Sequence, residues 1–158
     1  MDSNDPLVPI GTIHTPFQTK EEAPIQGVFA LSATGTVIIR EELEPGLKDI
    51  DGFTHLILIY RFDRCPGRIG LVKPMLLDDA PHGILASRNP MRPNRIGLTV
   101  VRYLRRERNV IGIGGVDMLD NTPLLDVKPY VPRFDSFPEA SEGWFSGKND
   151  RPKPPGRG

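Results

Sequence analysis

Residues 83–99 read Gly83-Ile84-Leu85-Ala86-Ser87-Arg88-Asn89-Pro90-Met91-Arg92-Pro93-Asn94-Arg95-Ile96-Gly97-Leu98-Thr99. One apolar run, Ile84 to Ala86, leads in, and another, Ile96 to Val101, leads out. The middle cannot be helical. Pro90 and Pro93 each lack a backbone donor, and each drives its preceding residue out of the helical region. Nor can it be a central strand, because proline cannot donate to the ladder. The stretch predicts a stiff loop joining two buried strands, 83–87 and 96–104. The loop carries the guanidinium groups of Arg88, Arg92 and Arg95 and the amides of Asn89 and Asn94. Planar donors held in a fixed shape suit a carboxylate, a phosphate or a base edge. A solvated, arginine-decorated connection is the bland alternative. The two prolines favour gripping, since a spacer gains nothing from rigidity.

Working outward, residues 53–62, Phe-Thr-His-Leu-Ile-Leu-Ile-Tyr-Arg-Phe, form the strongest strand signal. The unbroken run Leu56 to Ile59 predicts burial on both faces. Residues 34–40 are β-branched and predict another strand. Residues 7–13 predict an opening edge strand, where Pro9 is tolerated. Pro45-Gly46 marks a turn, with one helical turn at Leu47 to Ile50. Breakers at Cys65-Pro66-Gly67, Lys73-Pro74 and Ala80-Pro81 make 63–82 a loop. Downstream, Arg105 to Asn109 predicts a hairpin tip with Val110 to Ile113 returning. Val116 to Leu119 predicts a short strand or strand end, Asp120-Asn121-Thr122-Pro123 a turn, and Leu124 to Val127 a last strand. Beyond residue 133 the chain turns polar and Gly/Pro-rich. The last ten residues predict disorder, and Trp144 and Phe145 are candidates to pin the segment before them to a surface.

Composition agrees with short strands and many turns. The 158 residues hold 16 glycines and 17 prolines, too many for a helical bundle. No helix-period stretch exceeds one or two turns. The fold class predicted is mostly β, a small β-barrel with short helical turns over residues 1–138, followed by a polar tail at 139–158. No apolar run approaches the ~20 residues of a membrane helix. The acidic start, Met-Asp-Ser-Asn-Asp-Pro, is the opposite of a signal peptide. The single cysteine, Cys65, allows no internal disulfide and no Cys-rich metal site, and reads as a structural thiol. A cytoplasmic protein follows, with no membrane and no metal.

The formal net charge is zero, yet it is unevenly spread. Residues 1–52 hold nine acids against three bases, and residues 88–108 hold seven arginines against one acid, Glu107. A block this basic can hold a nucleic-acid backbone, and it assigns Arg105 and Arg106 to that partner, with Arg95 adding charge from the loop. The alternative is that the acidic N-terminal third folds over it. Gly112-Ile113-Gly114-Gly115 with Asp117 hints at a dinucleotide loop, but the spacing fails and no helix follows, so the fold is not Rossmann. His14, His55 and His82 lie far apart, and His55 reads as a hydrogen-bonded strand histidine. Asp126 and Lys128 share one face of a strand and read by pattern as a surface ion pair.

Five stretches together resemble the TsaA-like, or YaeB, family, which includes the tRNA methyltransferase TrmO. They are Ile10 to Pro16, Asp51 to Leu56, Gly83 to Leu98, Gly115 to Asp120 and Thr122 to Tyr130. They run in the family's order across nearly residues 8–138. The resemblance implies a β-barrel homodimer that binds S-adenosylmethionine and methylates N6 of threonylcarbamoyl-adenosine at tRNA position 37. It places the cofactor against Gln26, Gly27, Val28, Phe29, Asp63, Arg64, Arg88, Leu98, Asp117, Met118 and Leu119. It gives Asn94, Asp126, Lys128 and Tyr130 to the catalytic end, and turns Arg92 toward the modified nucleotide. Bacterial members carry a further C-terminal domain. The chain departs from the family pattern at Asn89, at Arg95 (the second proline of a Pro-Asn-Pro core) and at Asn121 (a glycine). A barrel acting on a different acceptor, and a non-enzymatic RNA-binding module, are the alternatives.

Overall fold

The computed structural model describes residues 6–67, 70–72 and 78–148. Its strands are β1 (Gly11–His14), β2 (Thr34–Ile39), β3 (His55–Arg61), β4 (Leu71–Val72), β5 (His82–Gly83), β6 (Ile96–Glu107), β7 (Val110–Gly114) and β8 (Thr122–Pro129). Six of them close a barrel in the order β1-β2-β7-β6-β3-β8. Every pairing is antiparallel. The pair β4–β5 stands apart as a two-stranded ladder. Among the described residues helix is confined to one turn, α1 (Pro132–Asp135), and short 3-10 turns, including Glu41–Leu47 and Ile50–Gly52. Among the described residues no helix is long and apolar enough to cross a membrane.

The interior is built from alternating side chains. On β3, Leu56, Leu58 and Tyr60 point inward and are buried, while Ile57 and Ile59 are half-buried. The expectation of burial on both faces is therefore corrected. A barrel has one interior, and the unbroken apolar run arises because the outward positions are apolar too. Leu98 and Val100 of β6 lie beside them in register and stay partly exposed. Ile13, Val37, Val101, Ile111, Ile113 and Leu124 complete the closed core.

Several boundaries differ from expectation. Residues 83–87 are not a strand: β5 stops at Gly83, and Ile84–Ala86 curls into a 3-10 turn. The Ser87 hydroxyl closes that turn by donating to the Ile84 carbonyl at 2.9 Å, the local bonding by which serine competes with a ladder. β6 runs on to Glu107, past a bulge between Tyr103 and Arg105, so the hairpin tip is only Arg108-Asn109, with Arg108 at φ 52°. β1 is not an edge, since it pairs with β2 on one side and β8 on the other. Val116 to Leu119 forms a turn rather than a strand. β8 begins at Thr122 and extends to Pro129. The breaker Lys73-Pro74 and the last ten residues lie outside the described residues.

The acidic third does fold over part of the basic block. Asp51 accepts from the Tyr103 hydroxyl and from Arg106, at 3.2 Å for Nη2, and Glu44 lies 3.8 Å from Arg108 Nε.

Gly97 faces Tyr60 in the β3–β6 register. A Cβ at position 97 would run into the Tyr60 ring and come within 2.8 Å of the Phe62 ring. Those two rings pack edge-on at 5.4 Å. Gly97→Ala is therefore expected to cost ~1–3 kcal/mol, as overpacking typically does. The chemical denaturation midpoint measures it, and an unchanged midpoint would show that the Tyr60 ring shifts freely.

Candidate functional site

β7 ends at Gly114, opposite Arg102, so Ile96–Val101 of β6 runs on without a β7 partner. Two turns occupy that gap, Gly27–Phe29 before β2 and Gly115–Leu119 after β7. Their backbones come so close that a side chain on Gly27 would collide with the Gly115 carbonyl. Gly115 itself has φ 78°, a left-handed conformation suited to glycine.

One carboxylate joins the two turns to the barrel. Asp117 Oδ2 accepts from the Gly27 N–H at 3.0 Å, and its Oδ1 accepts from the Thr99 hydroxyl at 2.7 Å. The Tyr60 hydroxyl lies 2.9 Å from Thr99 Oγ1 and 3.5 Å from Asp117 Oδ1. Each hydroxyl has one proton. Thr99 directs its proton to Asp117, so Tyr60 donates to Thr99, and a relay runs Tyr60→Thr99→Asp117. Burial pushes the Asp117 carboxyl above its usual range, against hydrogen bonds from Thr99, Gly27 and Tyr60 that pull it down. Burial first, and then the Asp117 charge, push the Tyr60 phenol far up, while Arg88 acts in the opposite direction. With its phenol raised, Tyr60 keeps its proton and acts as a donor to Thr99.

The arginine loop divides its guanidinium groups between bracing and display. Arg92 Nη1 donates to the Ser87 carbonyl at 2.8 Å, and Arg95 Nη1 to the Cys65 carbonyl at 3.0 Å. The Asn89 side chain accepts from the Met91 N–H at 2.8 Å, an Asx turn. Arg88 is exposed and carries no such bond among the described residues. Asn94 is exposed in the same loop. Arg95 has φ 53°, which a proline, held near −65°, cannot adopt. The departure at Arg95 is therefore a change of backbone path as well as of charge. Asn121, at φ 62°, keeps the left-handed turn that a glycine would give.

The other cofactor candidates divide the same way. Val28 and Leu98 present exposed apolar surface, 64% and 46% accessible. Met118 is buried in the core, so only its backbone faces outward chemistry; its carbonyl already accepts from Thr15. The Leu119 carbonyl accepts from Thr122. Arg64 pairs with Asp63 at 3.3 Å and donates to the Asp120 carbonyl at 2.7 Å, so it holds the turn before β8. Burial raises the Asp120 carboxyl, but bonds from the Thr15 N–H, Gln18 and His14 outweigh it and leave the group below its usual range. Gln26 precedes the Gly27 turn in extended backbone.

Of the four expected catalytic residues, Asn94 lies in the arginine loop, and Asp126, Lys128 and Tyr130 lie on or just after β8. Asp126 sits beside Ile59 and Lys128 beside Ile57, on the outward face of β8, and Lys128 Nζ bonds Asp126 Oδ2 at 3.0 Å. The Tyr130 N–H donates to the His55 carbonyl, and their rings meet edge-on at 6.2 Å. Tyr130 is thus five residues along β3 from Tyr60, on the order of 17 Å at the strand rise. Within one copy of the chain Gly27 and Asp117 meet beside Thr99, and Tyr130 stands at the far end of β3 from Tyr60. Arg105 is exposed, with its stem over Gly112, and Arg106 is held by Asp51.

The sequence reading missed Tyr60 and Thr99. A signal existed, because Thr99 is an even step from the buried Val101 and so faces the interior of an otherwise apolar strand.

Residues 12–136 match the sequence family described as the tRNA-methyltransferase O N-terminal domain. A Pyrococcus abyssi protein named as a probable S-adenosyl-L-methionine-binding protein is 48% identical over 137 residues, covering 87% of this chain and 74% of its own length. The mouse tRNA (adenine(37)-N6)-methyltransferase is 33% identical over 135 residues, covering 81% of this chain and 31% of that one. A crystal structure of TrmO from Pseudomonas aeruginosa matches with a TM-score of 0.75 at 31% identity, covering 90% of this chain and 62% of that one. This chain therefore spans about six-tenths of the solved enzyme and about a third of the mouse one. The family match runs from within β1 through α1 and so takes in the whole barrel; the chain belongs to the tRNA-methyltransferase O N-terminal domain family.

Proposed function

We propose that this barrel is an S-adenosylmethionine-dependent methyltransferase whose acceptor is N6 of threonylcarbamoyl-adenosine at tRNA position 37. The observation that carries the reading is the bonding of the Gly27 and Asp117 turns to each other and to Thr99 of β6, with Arg88 exposed and unpaired among the described residues in the loop that leads into β6. The donor set fits the cofactor's three parts. A methionine carboxylate wants a cation free of internal partners, and Arg88 has none among the described residues. Ribose hydroxyls want backbone and carboxylate acceptors, and Gln26 to Phe29, Asp63 and Asp117 to Leu119 offer them. Adenine wants an apolar face, which Val28 and Leu98 present.

When bound, the cofactor supplies an electrophilic sulfonium methyl. The acceptor nitrogen is ureido-like and weakly nucleophilic, so alignment carries much of the acceleration. The chain's part is to hold the methionine end through Arg88, to fix both turns through Asp117, and to keep Tyr60 as a rigid donor beneath them. Arg92 and Arg95 brace the loop, and Asn94 faces the acceptor. Asp126, Lys128 and Tyr130 line the outer face that also bears Leu98, Val100, Ile57 and Ile59. A homodimer paired through that apolar face would turn one copy's Lys128 and Tyr130 toward its partner's rim, where Lys128 suits the substrate's threonyl carboxylate. Arg102 and Arg105, exposed and without ion pairs among the described residues, are the cations left for tRNA in a cytoplasmic enzyme. Arg106 and Arg108 serve the acidic third instead.

Incubation with S-adenosylmethionine and tRNA bearing threonylcarbamoyl-adenosine, followed by nucleoside mass analysis, tests the reaction. A gain of one methyl on that nucleoside is expected; an unmodified nucleoside from protein that binds the cofactor points to another acceptor. Arg88→Ala should weaken cofactor binding roughly 10- to 100-fold, the worth of a charged hydrogen bond, in calorimetric titration. Unchanged affinity would remove Arg88 from the site. Arg105→Ala should weaken tRNA binding and lower the slope of affinity against salt by about one contact. An unaltered slope places the RNA elsewhere.

Asp117 yields a test in pH. Burial raises its carboxyl above the ordinary aspartate value in the folded chain, so the native state holds the proton more tightly than the unfolded state. Stability from this group is full below the unfolded pKa and falls as pH rises through the raised native one. The stability advantage of the parent protein over Asp117→Asn should therefore be largest in acid and shrink through that window. A constant difference would place Asp117 in a solvated setting.

A further inference from the structure

We propose that Trp144 is a positioning residue for the arginine loop, a strap that holds Arg88 in its binding posture. The inference rests on the reading that Arg88 binds the cofactor carboxylate. Residues 132–143 are exposed throughout, and the chain then docks abruptly at 144–145. The Trp144 indole N–H donates to the Ala86 carbonyl at 2.7 Å. Its ring lies flat on the His82 imidazole, with centroids 3.9 Å apart and planes 11° from parallel. Phe145 stacks on Trp144 at 3.9 Å. Lys148 Nζ and His82 Nε2 both lie 3.0 Å from Asp78 Oδ2. The strap therefore grips the approach to the loop at Asp78, His82 and Ala86.

The loop needs such a grip. β5 pairs only with two-residue β4, so no barrel ladder fixes the chain entering the loop. From Ala86 the path to Arg88 is two residues, and Ser87 between them is bonded on both sides, to Ile84 through its hydroxyl and to Arg92 through its carbonyl. An anchor on the Ala86 carbonyl is thus passed to Arg88 through a braced turn. Trp144 to Lys148 lie beyond residue 136, where the family match ends.

Two measurements on the full chain test this. Trp144→Phe keeps a ring on His82 but removes the N–H donor. Hydrogen exchange of the peptide spanning 84–95 should quicken in this variant, because a local anchor governs local opening. Exchange at the parent rate overturns the strap, whatever Arg88 does. Calorimetry with S-adenosylmethionine then runs as a double-mutant cycle with Arg88→Ala. Trp144→Phe is expected to weaken binding roughly three- to ten-fold, the worth of one hydrogen bond, and to add nothing when Arg88 is already alanine. Equal weakening in both backgrounds overturns positioning of Arg88. Quickened exchange with normal binding by Arg88→Ala alone sinks the cofactor reading and leaves the strap standing as the loop's anchor. The protein's single tryptophan adds a direct signal. Its emission should change in Lys148→Gln, which releases the strap's far end, and an unchanged spectrum counts against the grip described.

Discussion

The structure depends on closure of a six-stranded antiparallel sheet upon itself. β3 is the keystone, bonded to β6 along Ile96–Arg102 and to β8 along Leu124–Pro129. Closure gives the sheet one interior, filled by Leu56, Leu58, Ile13, Val37, Ile111 and their neighbours. It also leaves no open edge among these strands, the feature by which barrels avoid templating aggregation. The candidate site exists because closure is imperfect. β6 outlasts β7, and the overhang gives two turns a wall to lean on.

The fold class was legible because its signals are local. The β-branched run at 34–40 and the apolar run at 53–62 appear as β2 and β3 within a residue or two. The prolines of the arginine loop excluded helix and strand correctly. Errors came where long-range bonding decides. The curl at Ile84 to Ala86 has one local cause, the Ser87 hydroxyl, but the indole that also holds it comes from 58 residues away and is invisible to a local reading. Burial of β3 on one face only follows from barrel curvature, which an apolar run cannot encode.

Part of the candidate site's grouping was legible. Gly27 and Asp117, grouped by family resemblance, are brought into hydrogen-bond contact across 90 residues of chain separation. Geometry then sorts roles that sequence cannot. Arg92, Arg95 and Arg64 look like ligand donors on paper, but their guanidinium groups are committed to backbone carbonyls. Arg106 contributed to the basic block in sequence and is answered by Asp51 in space. Tyr60 and Thr99, ordinary strand residues by pattern, carry the relay that seats Asp117.

The β1–β8 ladder joins Gly11 to Leu124, so the barrel's seam connects segments more than a hundred residues apart. Closing a long loop costs entropy before any contact rewards it, and such non-local pairings slow folding. The β6–β7 hairpin, with its two-residue tip, can form early and alone. The seam is the pairing of widest sequence separation and carries the largest closure cost. Until it forms, β1 and β8 present unpaired edges to neighbouring chains, which exposes the protein to misassembly.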